Sequence, residues 1–353
     1  MELTFTLNLF FTVLGPVELS ALGKILTHEH LALDFTGFYV PPPPKLTNYF
    51  DKKITLQNVG LVKQYPYASM HNVTFNDKDT HDAILSDVQL LHKFGGGTII
   101  ENTSHGLRRD IPFMQHINLA TGIHVVAGTG YYVASTQAQS TLGMTKEQMY
   151  NLMLREMTLE CEGSPGVKTG FIGEVGSSWP ICDFEKKAIQ ATAEVQAQLG
   201  CPVSFHPGRN SKAPFEIIRL YLEAGGAVEK AIMSHLDRTL LENEDLLELS
   251  SFGCYCQFDL FGTECSHYQL NPELDMPSDA QRLDKIMLIK KEGRIDRVLL
   301  SHDIHTKHRL LAFGGHGFSH IYNNILPKML TKGFSQDDID AMTVKNPTTW
   351  LAP

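Results

Sequence analysis

The sequence is short of several things, and each shortage removes a class of function. Basic charge is not in excess: 30 Lys and Arg stand against 39 Asp and Glu, a formal net charge of −9. No basic stripe is available to displace counterions from nucleic-acid phosphates. No uninterrupted apolar run reaches the ~18 residues that a membrane-spanning helix needs. The six cysteines (Cys161, Cys182, Cys201, Cys254, Cys256, Cys265) lack the paired spacing of a zinc ribbon. A chain of this size needs no disulfide staples, which reads as reduced thiols in a cytoplasmic protein. A Gly-rich dinucleotide-binding turn is missing as well. The apolar stretch from Leu7 to Leu14 could pass for a secretion signal, but Glu2 stands where a basic segment belongs, and Asn8 and Thr12 interrupt it. The expectation is an N-terminal strand pair that closes the bottom of a barrel.

What is present is organised around Ile25-Leu26-Thr27-His28-Glu29-His30. Side chains two apart on a strand leave the same face, so His28 and His30 project together and Glu29 points away. After this first strand, four prolines at 41–44 exclude a helix and mark an insertion in the first strand-to-helix connection. Strand-like runs then recur at 98–102, 124–128, 170–176, 201–206, 231–235, 254–259 and 297–303. Helical periods lie between and after them, at 76–94, 114–120, 145–160, 183–199, 215–223, 240–250 and 278–292. Eight strand–helix pairs over 353 residues predict a single α/β domain spanning 1–353, a TIM-type (β/α)₈ barrel with loop insertions.

On such a barrel the strand carboxyl ends converge on one mouth, where active sites are built. The runs end in His28 and His30, in Glu174, in His206, in His235 and in Asp303. Four imidazoles and two carboxylates in one place match two divalent cations. The ligand types suit zinc, and manganese, iron or cobalt are compatible. Cys254 and Cys256 share one face of a strand and read as core thiols. His302, beside Asp303, is expected on the opposite face in a packing role.

Together these residues resemble the binuclear metal site of the amidohydrolase superfamily, and within it the animal relatives of the bacterial phosphotriesterases. The resemblance covers essentially the whole chain. It is carried by Leu26–Leu31, by the prolines, by the run from Gly170 to Pro180, and by His206-Pro207-Gly208-Arg209. Ser234-His235-Leu236-Asp237-Arg238-Thr239 and His302-Asp303-Ile304-His305-Thr306-Lys307 complete it. Bacterial phosphotriesterases bridge their metals with a carbamylated lysine on the fourth strand, whereas this strand carries Glu174 and Lys168 precedes it. That departure removes any simple carry-over of organophosphate hydrolysis.

The resemblance implies that His28, His30 and Asp303 hold one metal, His206 and His235 the other, and Glu174 both. It implies amide hydrolysis of N-acetyltaurine to taurine and acetate by hydroxide attack, with Asp303 carrying the proton to the leaving amine. A lactonase or phosphotriesterase-like hydrolase on the same metal centre is the alternative. A sulfonate needs a cationic or multi-donor anchor, for which Arg209, Arg238 and Lys307 are candidates, and Tyr132 is a candidate pocket wall or donor. Phe261 and Tyr268 are expected to line either the pocket or a homodimer interface.

Overall fold

The run from Lys24 to Glu29, rich in buried apolar residues, opens a closed arrangement of strands. The computed structural model describes residues 9–352. Leu9–Thr12 (β1) and Gly15–Glu18 (β2) pair antiparallel, as expected, apart from Leu7 and Asn8, which lie outside the described residues. Lys24–Glu29 (β3) follows, and Leu33–Asp34 (β4) and Thr74–Phe75 (β5) form a small pair within the insertion. The remaining strands are Gly96–Glu101 (β6), His124–Thr129 (β7), Phe171–Gly176 (β8), Val203–His206 (β9), Ala231–Met233 (β10), Tyr255–Phe258 (β11) and Val298–Leu300 (β12).

Eight of these form one parallel sheet in the order β12-β11-β10-β9-β8-β7-β6-β3. Its two ends meet: Thr27 Oγ1 donates to the Leu300 carbonyl at 3.4 Å, and the Asp303 amide donates to the His28 carbonyl at 3.1 Å. With helices between successive strands, this is the TIM-type barrel that the strand count predicts. The helices fall where the apolar periods place them, and 183–199 matches to the residue. Thr145 and Gln148 make a reciprocal capping box that starts the helix Lys146–Thr158. Among the described residues, no helix is long and apolar enough to cross a membrane.

The burial pattern separates the two faces of the strands. Ile25, Ile100, Val126, Phe171, Ile232, Tyr255 and Leu299 form one buried cluster with Phe10, Leu22 and Trp350. This is the lower layer of the barrel interior, closed from below by the β1–β2 hairpin and the C-terminal helix. Their sequence neighbours Leu26, Ile99, Val125, Ile172 and Leu300 belong to the other core, shared with the helices. Cys254 and Cys256 lie in that helix-side core, both fully buried. All six cysteines are free.

The proline-marked insertion does not wander off the domain. The Asp34 amide donates to the Leu107 carbonyl, the Val40 amide to the Tyr67 carbonyl, and Asn72 binds the backbone and ring of His308. These bonds lay residues 34–77 across the carboxyl ends of the strands.

Candidate metal centre

Alternation alone does not bring the nominated residues inward, and the chain breaks its own periodicity to do so. Ile25 faces the interior, so a regular β3 would send His28 to the helix side. A register shift between Leu26 and Glu29 against β6 inserts one residue and turns His28 and His30 into the barrel. β8 repeats the device: a shift between Ile172 and Val175 lies at Glu174, which would otherwise face away from Phe171's side. His206 arrives by plain alternation from Ser204. His235 and Asp303 each take a left-handed backbone conformation, φ 57° and 53°, which rotates them off the strand line.

The six side chains converge and are all buried. Glu174 stands in the middle. Its Oε1 is 3.6 Å from His30 Nε2, while its Oε2 is 2.9 Å from His206 Nδ1 and 3.5 Å from both His28 Nε2 and His235 Nε2. Asp303 Oδ1 is 3.1 Å from His30 Nε2 and 3.7 Å from His28 Nε2. Two donor sets result, His28–His30–Asp303 and Glu174–His206–His235, each with ligand atoms within 4.8 Å of one another. His28 Nε2 is buried without a hydrogen-bond partner although two carboxylates face it. A buried imidazole nitrogen aimed at carboxylates it does not bond is a donor arrangement that fits a cation.

Burial pulls His28 down to about 4, outweighing the nearby Asp259 and Asp303 charges, so its ring is neutral with a lone pair to offer. Burial also holds His206 well below its ordinary range, helped by His235 and the Arg238 guanidinium. His30 goes the other way. Burial opposes its charge, but the Asp303 contact and the Glu174 carboxylate raise it to about 9. Burial likewise raises Glu174. Asp303 is held well below the usual carboxylate range, its burial overcome by His305 and His30.

Three of the histidines, His28, His30 and His235, are gripped from behind by residues that strand-end reading passed over. His235 Nδ1 lies 2.8 Å from Asp259 Oδ1. His30 Nδ1 lies 2.9 Å from Thr103 Oγ1, which donates to Glu101 at 2.6 Å. His28 Nδ1 lies 3.2 Å from Ser234 Oγ and from Gln257 Nε2. Such partners set the tautomer and ring orientation of a metal-binding histidine. Gln257 shares the inward face of β11 with Tyr255, and Asp259, the next residue past the strand, continues the same alternation, a period-2 signal that could have found them. His302 packs on the far side, as expected, with Nδ1 2.7 Å from Glu29 Oε1.

A cavity of about 360 Å³ opens over the cluster, lined among others by His30, Tyr132, Arg209, Arg238, Tyr268 and Asp303. Tyr132 Oη is 3.3 Å from His206 Nε2. Arg209 donates from Nε to Tyr268 Oη at 2.8 Å, and Arg238 donates to the Pro207 carbonyl at 3.2 Å. Tyr268 thus lines the pocket, whereas Phe261 is fully buried in the core. The expectation for Lys307 needs correcting. Its ammonium is buried 2.6 Å from Asp77 Oδ2 and donates to the His71 carbonyl, outside the cavity. A desolvated ammonium keeps its charge only beside a counterion, and Asp77 from the insertion supplies it.

The model of the phosphotriesterase family matches residues 8–351. The phosphotriesterase-related protein of Aedes aegypti is 56% identical over 347 residues, covering 96% of this chain and 98% of that protein. Its Drosophila melanogaster counterpart is 52% identical over 343 residues, covering 97% and 98%. Among solved structures, a resiniferatoxin-binding protein from Rhodobacter sphaeroides superimposes with a TM-score of 0.93 at 27% identity, covering 98% of this chain and 95% of that one. The phosphotriesterase homology protein of Escherichia coli, complexed with phosphate in its active site, gives 0.76 at 25% identity, with 94% and 99% covered. Histidine and carboxylate clusters at the mouth of such a barrel mark a divalent metal centre, and with it a metal-dependent hydrolase. The chain is a member of the phosphotriesterase family.

Proposed function

We propose that this hydrolase cleaves the amide bond of N-acetyltaurine, releasing taurine and acetate, with His28, His30, Glu174, His206, His235 and Asp303 holding two divalent cations, zinc by ligand type. Those cations would lower the pKa of a water towards neutrality and polarise the substrate carbonyl. The chain's own residues do the rest. Glu174 presents one oxygen to His30 and the other to His28, His206 and His235, so a single carboxylate serves both donor sets. Asp303 turns Oδ1 to His28 and His30, and its Oδ2 lies 3.3 Å from His305 Nδ1. As the general base it takes the proton of the attacking water and returns it to the leaving nitrogen.

The observation that carries the substrate reading is the pair Arg209 and Arg238. Both guanidinium groups line the cavity next to His206, and neither has a carboxylate partner among the described residues. Guanidiniums without a carboxylate partner at a small cavity favour an anionic head group, since charge-assisted hydrogen bonds to sulfonate offset their desolvation. Phosphate in the active site of the E. coli relative is in keeping with an anion there. A lactonase would need no such anchor. The test is turnover of N-acetyltaurine by zinc-replete protein, beside N-acetylated amino acids and a neutral lactone. Preference for the lactone, with no release of taurine, would remove the amide reading and leave the lactonase.

A further inference from the structure

Arg309 is 3% exposed and makes no ion pair among the described residues. Its Nη1 donates to the carbonyl of Asp303, its Nη2 donates to the carbonyl of His302, and its Nε lies 3.4 Å from His316 Nε2. Stripping a guanidinium of water and giving it two carbonyl oxygens and an imidazole, with no counter-charge, is expensive. The two carbonyls it binds belong to the turn that carries Asp303.

That turn needs holding. Asp303 sits at φ 53°, a conformation in which Cβ crowds the following carbonyl and which non-glycine residues keep only when their surroundings impose it. Its amide is tied to the His28 carbonyl at 3.1 Å, and its own carbonyl also accepts from His305 Nδ1 at 2.7 Å. Arg309 is in turn locked by its own backbone: the Gly317 amide donates to the Arg309 carbonyl at 2.9 Å. A Cβ on Gly315 would meet the Arg309 carbonyl carbon at 2.0 Å, so that tight return of the chain requires glycine there.

We propose that Arg309 is a positioning residue for Asp303: its buried guanidinium bridges the carbonyls of His302 and Asp303 and holds Asp303 in the left-handed conformation that aims its carboxylate at His28 and His30. Without the bridge, the His302–Asp303–Ile304 backbone relaxes and the carboxylate swings away from the two imidazoles. Arg309 touches no reacting atom in this account and acts only through Asp303. The inference rests on Asp303 being a metal ligand and proton carrier, the reading proposed above.

The test measures zinc affinity by competition with a chelating dye, and kcat and KM on N-acetyltaurine and on a neutral activated ester. Arg309→Met should bind zinc about 10–100-fold more weakly and lose kcat by a similar factor at saturating zinc, with KM little changed. Arg309→Lys should fall between, because an ammonium does not span two carbonyls as a planar fork does. Methylguanidinium added to Arg309→Ala should restore part of kcat, where methylammonium does not. Wild-type zinc affinity and kcat in Arg309→Met would overturn the proposal. So would a loss confined to KM for the anionic substrate, which would make Arg309 an anion anchor. If Arg309→Met does not fold, Arg309→Lys decides, and wild-type values there also overturn it. Failure of the wild-type protein on N-acetyltaurine would defeat the substrate reading alone, since zinc affinity still ranks the variants. Wild-type zinc affinity in Asp303→Asn would defeat the role of Asp303 itself.

Discussion

Asp259 Oδ1 stands 2.8 Å from His235 Nδ1, and the same carboxylate accepts the His235 backbone amide through Oδ1 at 3.1 Å and Oδ2 at 3.2 Å. One acid just past β11 therefore fixes both the ring and the left-handed backbone of a ligand candidate just past β10. Asp259→Asn keeps the shape but turns an acceptor that always takes the imidazole proton into one with a weaker hold. We expect zinc affinity to fall about 10–100-fold, read by dye competition, with the melting temperature in excess zinc close to wild type. Unchanged affinity would reduce Asp259 to a packing role.

Glu174 couples the two donor sets, and its removal should be felt in both. Added zinc should stabilise the wild-type protein by about 2.7 kcal/mol at one hundred times the dissociation constant, seen as a rise in melting temperature that a chelator reverses. In Glu174→Gln the shared negative charge is gone. Elemental analysis should then find less than the wild-type zinc content, and the zinc-dependent rise in melting temperature should shrink. A full complement of zinc in that variant would mean that the metals do not share this carboxylate.

Much of this was legible beforehand, for a physical reason. Strand-end histidines and acids are visible because a parallel barrel delivers every strand end to one mouth, so Glu174, more than 140 positions from His28 in the chain, needed no contact information. The irregularities were not legible. Nothing in Thr27-His28 or Gly173-Glu174 announces a register shift, and regular alternation from Ile25 and Phe171 would have sent both ligand candidates outward. Lys307 shows the opposite failure. Its spacing from Asp303 matches a mouth position, but it opens the short helical turn Lys307–Arg309 and its ammonium reaches Asp77, a partner contributed by the insertion. Which loop residue meets an insertion is a tertiary fact, and local periodicity holds no trace of it.

Two aspartates should give the stability curve opposite slopes. Burial raises Asp87 to about 6, so its ionisation is disfavoured in the folded state. Its contribution is fully present below the unfolded value near 4 and is eroded as pH rises through about 6. Asp87→Asn keeps an acceptor for the Leu311 amide, which lies 3.1 Å from Oδ2. That variant should match wild type near pH 4 and be more stable by roughly 1–3 kcal/mol at pH 8 in urea denaturation. Asp279 behaves in reverse. Burial would raise it, but bonds from His320 and the Gly262 amide and the Arg282 charge hold it at about 2. Its stabilisation is present above pH 4 and is lost as pH falls towards 2, so Asp279→Asn should be the less stable protein at neutral pH and converge with wild type in acid. Parallel curves for either variant would mean that its carboxyl titrates alike in folded and unfolded chains.

Arg209 and Arg238, two of the three arginines that line the cavity, are not equally free to hold an anion, and the geometry says which should matter more. Arg238 is nearly fully buried, with Nη1 on Thr239 Oγ1 at 3.1 Å and Nη2 on the Pro207 carbonyl at 3.2 Å, so both ends of its fork are already occupied. Arg209 is only partly buried and engages Tyr268 through Nε, which leaves its terminal amino groups to face a ligand. A charge-assisted hydrogen bond is worth about 1.5–3 kcal/mol, or roughly tenfold to 150-fold in an equilibrium constant. Arg209→Ala should therefore raise KM for N-acetyltaurine by about that factor and leave a neutral ester nearly untouched, because the contact is equal in ground and transition states. Arg238→Ala should instead lower turnover of charged and neutral substrates alike, since it frees the loop after His206. Tyr268→Phe isolates the orientation of Arg209, with a smaller rise in KM and no effect on the ester. Equal losses on both substrates from Arg209→Ala would mean that this guanidinium supports the fold of the mouth, and the anion would then have to be held elsewhere.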